Sequence, residues 1–127
     1  MQEEHLYEYA VIRYVPRRER EEFINIGLLL LCKRRRIVMG RLCIDPERLA
    51  AIRTPHSAEE IERQAEAFIR IATADRAAGP MAELPAEERF RWLTAVKSSC
   101  LETSRPHPGL TDDLTATFDR LFAELVL

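Results

Sequence analysis

The chain has 127 residues, 46% of them hydrophobic and 31% charged, with only four glycines, a composition that excludes disorder and low complexity and leaves enough apolar residues for a core. Nineteen basic and 21 acidic side chains give a formal net charge of −2, which excludes a global electrostatic drive toward nucleic acid or an anionic membrane. Any such binding has to be local.

The first five residues, Met1-Gln-Glu-Glu-His5, are acidic and polar where a secretory signal would be basic and then apolar. Cys32, Cys43 and Cys100 are odd in number and widely spaced, which is no disulfide framework. Both features point to a cytoplasmic protein, with Cys32 and Cys43 as packing residues of strands. No membrane association is expected, because the longest apolar run is far short of the ~20 residues that cross a bilayer.

Residues 7–44 read as three consecutive strands. Residues 6–15 are rich in aromatic and β-branched types and stop at Pro16. After the short Pro16-Arg-Arg-Glu-Arg20 connection, residues 22–32 form the most apolar run, which predicts a central strand. Alternation places Ile24, Ile26, Leu28, Leu30 and Cys32 on one wholly apolar face that helices must cover, with Phe23, Asn25, Gly27, Leu29 and Leu31 on the other. Lys33-Arg34-Arg35-Arg36 then turns the chain into a third strand, residues 37–44, ended by Asp45-Pro46.

The remainder is helical in pattern. Asp45-Pro46 starts a short helix that runs through Ile52. Ser57-Ala-Glu-Glu60 offers a capping box, and Ile61, Ala65, Phe68, Ile69 and Ala72 follow at amphipathic spacing up to Gly79-Pro80. A third helix is predicted from Pro85 to about Lys97, with Glu87 and Glu88 in its first turn. Residues 98–109 hold Pro106 and Pro108 and read as extended, offering a fourth strand around residues 100–104. A last helix from Thr111 presents Leu114, Phe118, Leu121, Phe122 and Leu125 to the sheet. The expected architecture is α+β, a single domain over residues 1–127. A three- or four-stranded antiparallel meander (about 6–44) would carry a helical part (about 46–126) packed mainly on one face.

Three groups of polar residues stand out against this frame. Arg13, Glu22 and Asn25 fall near one another across the first two strands, where an Arg-carboxylate pair with an adjacent amide is the expectation and a register-fixing salt bridge the bland explanation. The basic turns, Arg17-Arg-Glu-Arg20 and Lys33-Arg-Arg-Arg36, lie about 30 Å apart at opposite ends of a meander, which weakens a nucleic-acid reading. Arg89-Phe-Arg-Trp92, Lys97-Ser-Ser-Cys100 and Ser104-Arg-Pro-His107 combine cations, hydroxyls and an imidazole as an anion pocket would. A Cys100 and His107 dyad lacks an orienting carboxylate, the His and Cys residues show no paired metal-ligand spacing, and four scattered glycines build no phosphate loop. No cofactor and no metal are therefore expected.

Several blocks together carry a resemblance. They are Tyr7-x-Tyr9-x-x-x-Arg13-Tyr14-x-Pro16, Glu22-x-x-Asn25-x-Gly27, Phe90-Arg-Trp-Leu-Thr94, His107-x-Gly-Leu-Thr111 and Leu121-Phe122. The chain resembles, over nearly its whole length, a bacterial family of small domains known as the domain of unknown function DUF3037. The resemblance implies neither an activity nor a cofactor; members occur near kinase-like proteins of the HipA type, which implies a protein partner of that kind. Val96-Lys97 stands where the family pattern has a proline and a basic residue, and Asp113-Leu114 where it has Asp-Pro. The binding candidates are Arg13, Tyr14, Glu22, Asn25, Arg91, Trp92 and His107. The leading expectation is a non-enzymatic interaction or regulatory module. The alternatives are a small enzyme or binding domain for a phosphorylated or other anionic substrate, with Arg13 and Arg91 as clamps and Glu22 or His107 as acid or base, and nucleic-acid binding through the basic turns.

Overall fold

The computed structural model describes residues 3–95 and 100–127. The end of the third predicted helix, Val96-Lys97 and the Lys97-Ser98-Ser99 part of the loop cluster lie outside the described residues. Strands β1 (His5–Tyr14), β2 (Ile24–Cys32) and β3 (Ile37–Leu42) form the expected antiparallel meander. Helices α1 (Pro46–Ala50), α2 (Ala58–Ala72) and α3 (Ala86–Ala95) follow, then β4 (Leu101–Thr103), β5 (His107–Thr111) and α4 (Leu114–Leu125). The fold is α+β, around a five-stranded antiparallel sheet ordered β3-β2-β1-β4, with β5 also paired to β1.

β4 and β5 share one edge of β1, so β1 is as interior as β2. Tyr14 pairs with Leu101 and Ile12 with Thr103, whereas Tyr9 pairs with His107 and His5 with Thr111. The register slips by one residue between the two strands, and Ser104 fills the slip. Its N–H donates to the Val11 carbonyl and its Oγ accepts from the Val11 N–H. Val11 thus turns its backbone toward this edge, and alternation gives Glu8 and its partner Pro108 a position without ladder bonds between them. Pro108 can stand in β5 because the N–H it lacks would have pointed away from the sheet.

A second irregularity corrects the expected faces of β2. Ile12 pairs with Gly27 and Arg13 with Asn25, so Ile26 is an extra residue opposite no partner. The alternation switches there. Ile24, Ile26, Leu29 and Leu31 all pack with Ala10, Ile12 and Tyr14 against α1, α2 and α3, while Leu28 and Leu30 pack with Tyr7 and Val11 against α4. Three helices therefore cover one face and α4 covers the other. No continuous run of even-numbered residues forms a single face, because one bulge flips every side chain beyond it.

Local chemistry sets the helix ends. Asp45, Ser57 and Asp113 cap α1, α2 and α4 by accepting from the N–H of Glu47, Glu60 and Ala116. Asp113 acts as cap, so α4 begins three residues later than the expected Thr111, which completes β5 instead. α2 stops at Ala72, before Gly79-Pro80, because Ala74 adopts a left-handed conformation and Asp75 N–H returns to the Arg70 carbonyl.

Candidate functional site

Arg13 and Asn25 face each other across β1 and β2, as the sequence pattern implied, but their partners differ from those expected. The Arg13 guanidinium lies over the Phe23 ring, 4.2 Å from its centroid. Asn25 Nδ2 donates to the Leu125 carbonyl at 3.0 Å and so ties the end of α4 to the sheet. Glu22 turns back to Arg20, whose Nε is 2.5 Å from its carboxylate. Among the described residues the Arg13–Glu22 ion pair is not formed.

Tyr14 follows Arg13 in the strand and so points to the opposite face, where it is fully buried beneath α2. Its hydroxyl bonds Thr54 Oγ1 and, at 2.9 Å, His56 Nδ1. Burial raises the phenol above its ordinary range and keeps it neutral. This side chain anchors the loop before α2.

Arg91 projects from α3 onto the face shared with Tyr14, and both of its terminal nitrogens bond the Glu8 carboxylate, at 2.9 and 2.5 Å. Those bonds hold Glu8 below the usual carboxylate range and raise Arg91 in turn. Trp92, next along the helix, is 38% exposed. His107 stacks on Tyr9 at 5.1 Å on the Arg13 face. Tyr9 and Arg13 are four residues apart in β1, about 13 Å at the usual strand rise. Arg13 and Arg91 emerge on opposite faces of the sheet, so they do not close on one small anion. Cys100 is buried with its Sγ donating to Gln64 Oε1 at 3.0 Å, and about 20 Å of extended strand separates it from His107.

The candidates thus converge on no single pocket, yet one of them borders a different feature. Leu6 and Leu110 pair across β1 and β5 and point to the α3 side of the sheet beyond the helix, 60% and 64% exposed. With Leu31 and Pro108 they floor a groove of about 550 Å³, and the Glu8–Arg91 pair forms its wall toward α3. Lys33 and Arg34 stand on its rim, already paired with Glu87 and Glu3. Leu6 gives no signal in the sequence because a leucine at an even position of β1 looks like core; in the structure it is exposed.

Among the described residues no three His, Cys, Asp or Glu side chains cluster so as to hold a metal ion. No helix among them is long and apolar enough to cross a membrane.

The family model described as Protein of unknown function (DUF3037) matches residues 9–126. The chain belongs to this family. Neither a curated protein nor a solved structure matches it. The blocks that carry the family resemblance now have structural positions. Arg13, Tyr14 and the Asn25 to Gly27 segment surround the bulge of β2, where Gly27 is required because a Cβ would lie 2.9 Å from the Arg41 carbonyl oxygen. Phe90 and Leu93 are fully buried core residues of α3, leaving Arg91 and Trp92 outward. His107 and Gly109 belong to β5, and Gly109 lies under the Tyr7 ring.

Proposed function

We propose that this domain is a non-enzymatic interaction module that receives a protein partner in the groove between β1, β5 and α3. The observation that carries this reading is the pair of leucines, Leu6 and Leu110, exposed side by side on the sheet face whose core residues pack with α1, α2 and α3. Burying both in a partner is worth about 1.5–3 kcal/mol each, enough to anchor an interface when framed by polar side chains. Prolines at positions 106 and 108 blunt the outer edge of β5, so side-chain insertion fits better than strand addition. The kinase-like neighbour implied by the family resemblance is the partner to test, and the reading places the module in the cytoplasm of a bacterial cell with it.

Nucleic-acid binding through the basic turns has less support, because Arg18, Arg20, Lys33 and Arg34 each sit in an ion pair with a carboxylate. The deciding experiment is co-purification with a HipA-type kinase, for the natural chain and for Leu6→Glu and Leu110→Glu. Both leucines are exposed, so both variants fold, and each is expected to weaken capture at least tenfold. Unchanged capture by both variants, or none by the natural chain, would overturn the reading.

A further inference from the structure

A second cavity, of about 560 Å³, lies between the β2–β3 turn and the start of α3, lined by Lys33, Arg36, Pro85, Ala86, Glu87 and Arg89. Three cations face one carboxylate there. We infer that this cleft binds the phosphate group of a small phosphorylated molecule.

Arg89 is the fixed member of the set. Its Nη1 donates to the Leu84 carbonyl at 2.6 Å, while its buried Nε has no hydrogen-bond partner. No carboxylate pairs with Arg89 among the described residues, and burial alone lowers its affinity for the proton. A partly buried cation that lacks a counter-ion gains from an anion in the adjoining cavity. Arg36 is the second. It occupies the left-handed position of the turn, φ 53°, where glycine is preferred and a side chain costs about 1 kcal/mol. An arginine stands there nonetheless, with no ion pair among the described residues.

The start of α3 adds donors. The Pro85 carbonyl accepts from Arg89 N–H, which makes Pro85 the residue before the first helical turn, and its ring offers no acceptor to the amides that follow. The other three helices each have a side-chain cap at that point. Phosphate oxygens suit such amides when cations flank them. Glu87 is bonded to Lys33 at 3.0 Å, so their charges offset one another and Arg36 and Arg89 are left to hold the anion. The volume exceeds that of a phosphate ion and falls in the range of sites for small organic ligands, so the phosphate is expected to carry a substituent.

The test is a titration of the full chain, followed by amide NMR shifts, with inorganic phosphate and with glycerol 3-phosphate against sodium chloride of equal ionic strength. Saturable shifts confined to residues 33–36 and 86–89 with either phosphate probe are expected. Arg36→Gly removes the cation and relaxes the backbone, so its melting temperature should hold or rise while phosphate affinity falls at least tenfold. Arg17→Ala, in the other basic turn, should leave affinity unchanged. Shifts that match the chloride control, shifts at other residues, or Arg36→Gly affinity equal to the natural chain would each overturn the inference. So would binding seen only with duplex DNA and lost steeply with salt.

Discussion

Two contacts show how single residues are constrained. A Cβ at Gly109 would lie 2.4 Å from the far end of the Tyr7 ring, so that end of the ring lies against the β5 backbone where only glycine leaves it room. Gly109→Ala should destabilise by about 1–3 kcal/mol, the usual cost of overpacking. Tyr7→Leu withdraws the clashing atoms, so the double variant should lose less than the sum of the two single changes in urea denaturation. The Glu8–Arg91 pair makes a different prediction. Because Arg91 holds the Glu8 carboxyl below its ordinary value of 4.5, the folded chain binds this proton less readily than the unfolded one. The pair's contribution is therefore complete above that value and lost as the pH falls through the folded one. Both groups are partly solvated, so a double-mutant cycle should return no more than about 1 kcal/mol at neutral pH. Acid unfolding of Glu8→Gln should begin from a lower plateau and show a shallower decline below pH 4.5.

At the scale of elements, α4 is held by two unequal means. Phe118, Leu121 and Phe122 bury themselves against Leu28 and Leu30, each worth about 1.5–3 kcal/mol. The polar tethers, Asn25 to the Leu125 carbonyl and Arg48 to the Val126 carbonyl, secure only the end of the helix. Burial dominates, so Asn25→Ala should cost about 1 kcal/mol and leave the helix docked. Hydrogen exchange should speed up in the last turn of α4 and stay unchanged in its first turn. Faster exchange along the whole helix would mean that Asn25 does more than close its end. Asn25 looked like a binding residue in the sequence because a polar side chain in so apolar a strand had no visible partner. The partner is 100 residues further on.

For the whole molecule, the arrangement of β1 is decisive. It pairs with β2 on one edge and with β4 and β5 on the other, so the beginning and the end of the chain complete one sheet. A fragment of residues 1–44 retains the meander but leaves an edge of β1 open and both faces bare. It should not fold alone, and mixing it with a 45–127 fragment should restore the circular-dichroism signal if the two associate. The full chain should unfold in one transition, with Trp92 fluorescence and circular dichroism coincident. Two separate transitions would show that sheet and helices are independent units.

The sequence by itself determined the local events. Apolar runs, prolines and capping residues mark three strands and the starts of the helices to within a few residues, because these signals depend on near neighbours, whereas the end of α2 falls well short of the Gly79-Pro80 stop. It also marked residues 98–109 as extended. Only the tertiary structure decided where that segment goes, since pairing with β1 joins residues almost the length of the chain apart. The bulge at Ile26 likewise appears only when β1 is laid beside β2, and it reassigns the faces that alternation alone had predicted. The candidate site followed the same division. Residue types flagged Arg13, Arg91 and His107 as unusual, but whether they meet depends on which face of β1 each one shares. The exposed pair Leu6 and Leu110 carried no local signal at all, because exposure is a property of what the other elements fail to cover.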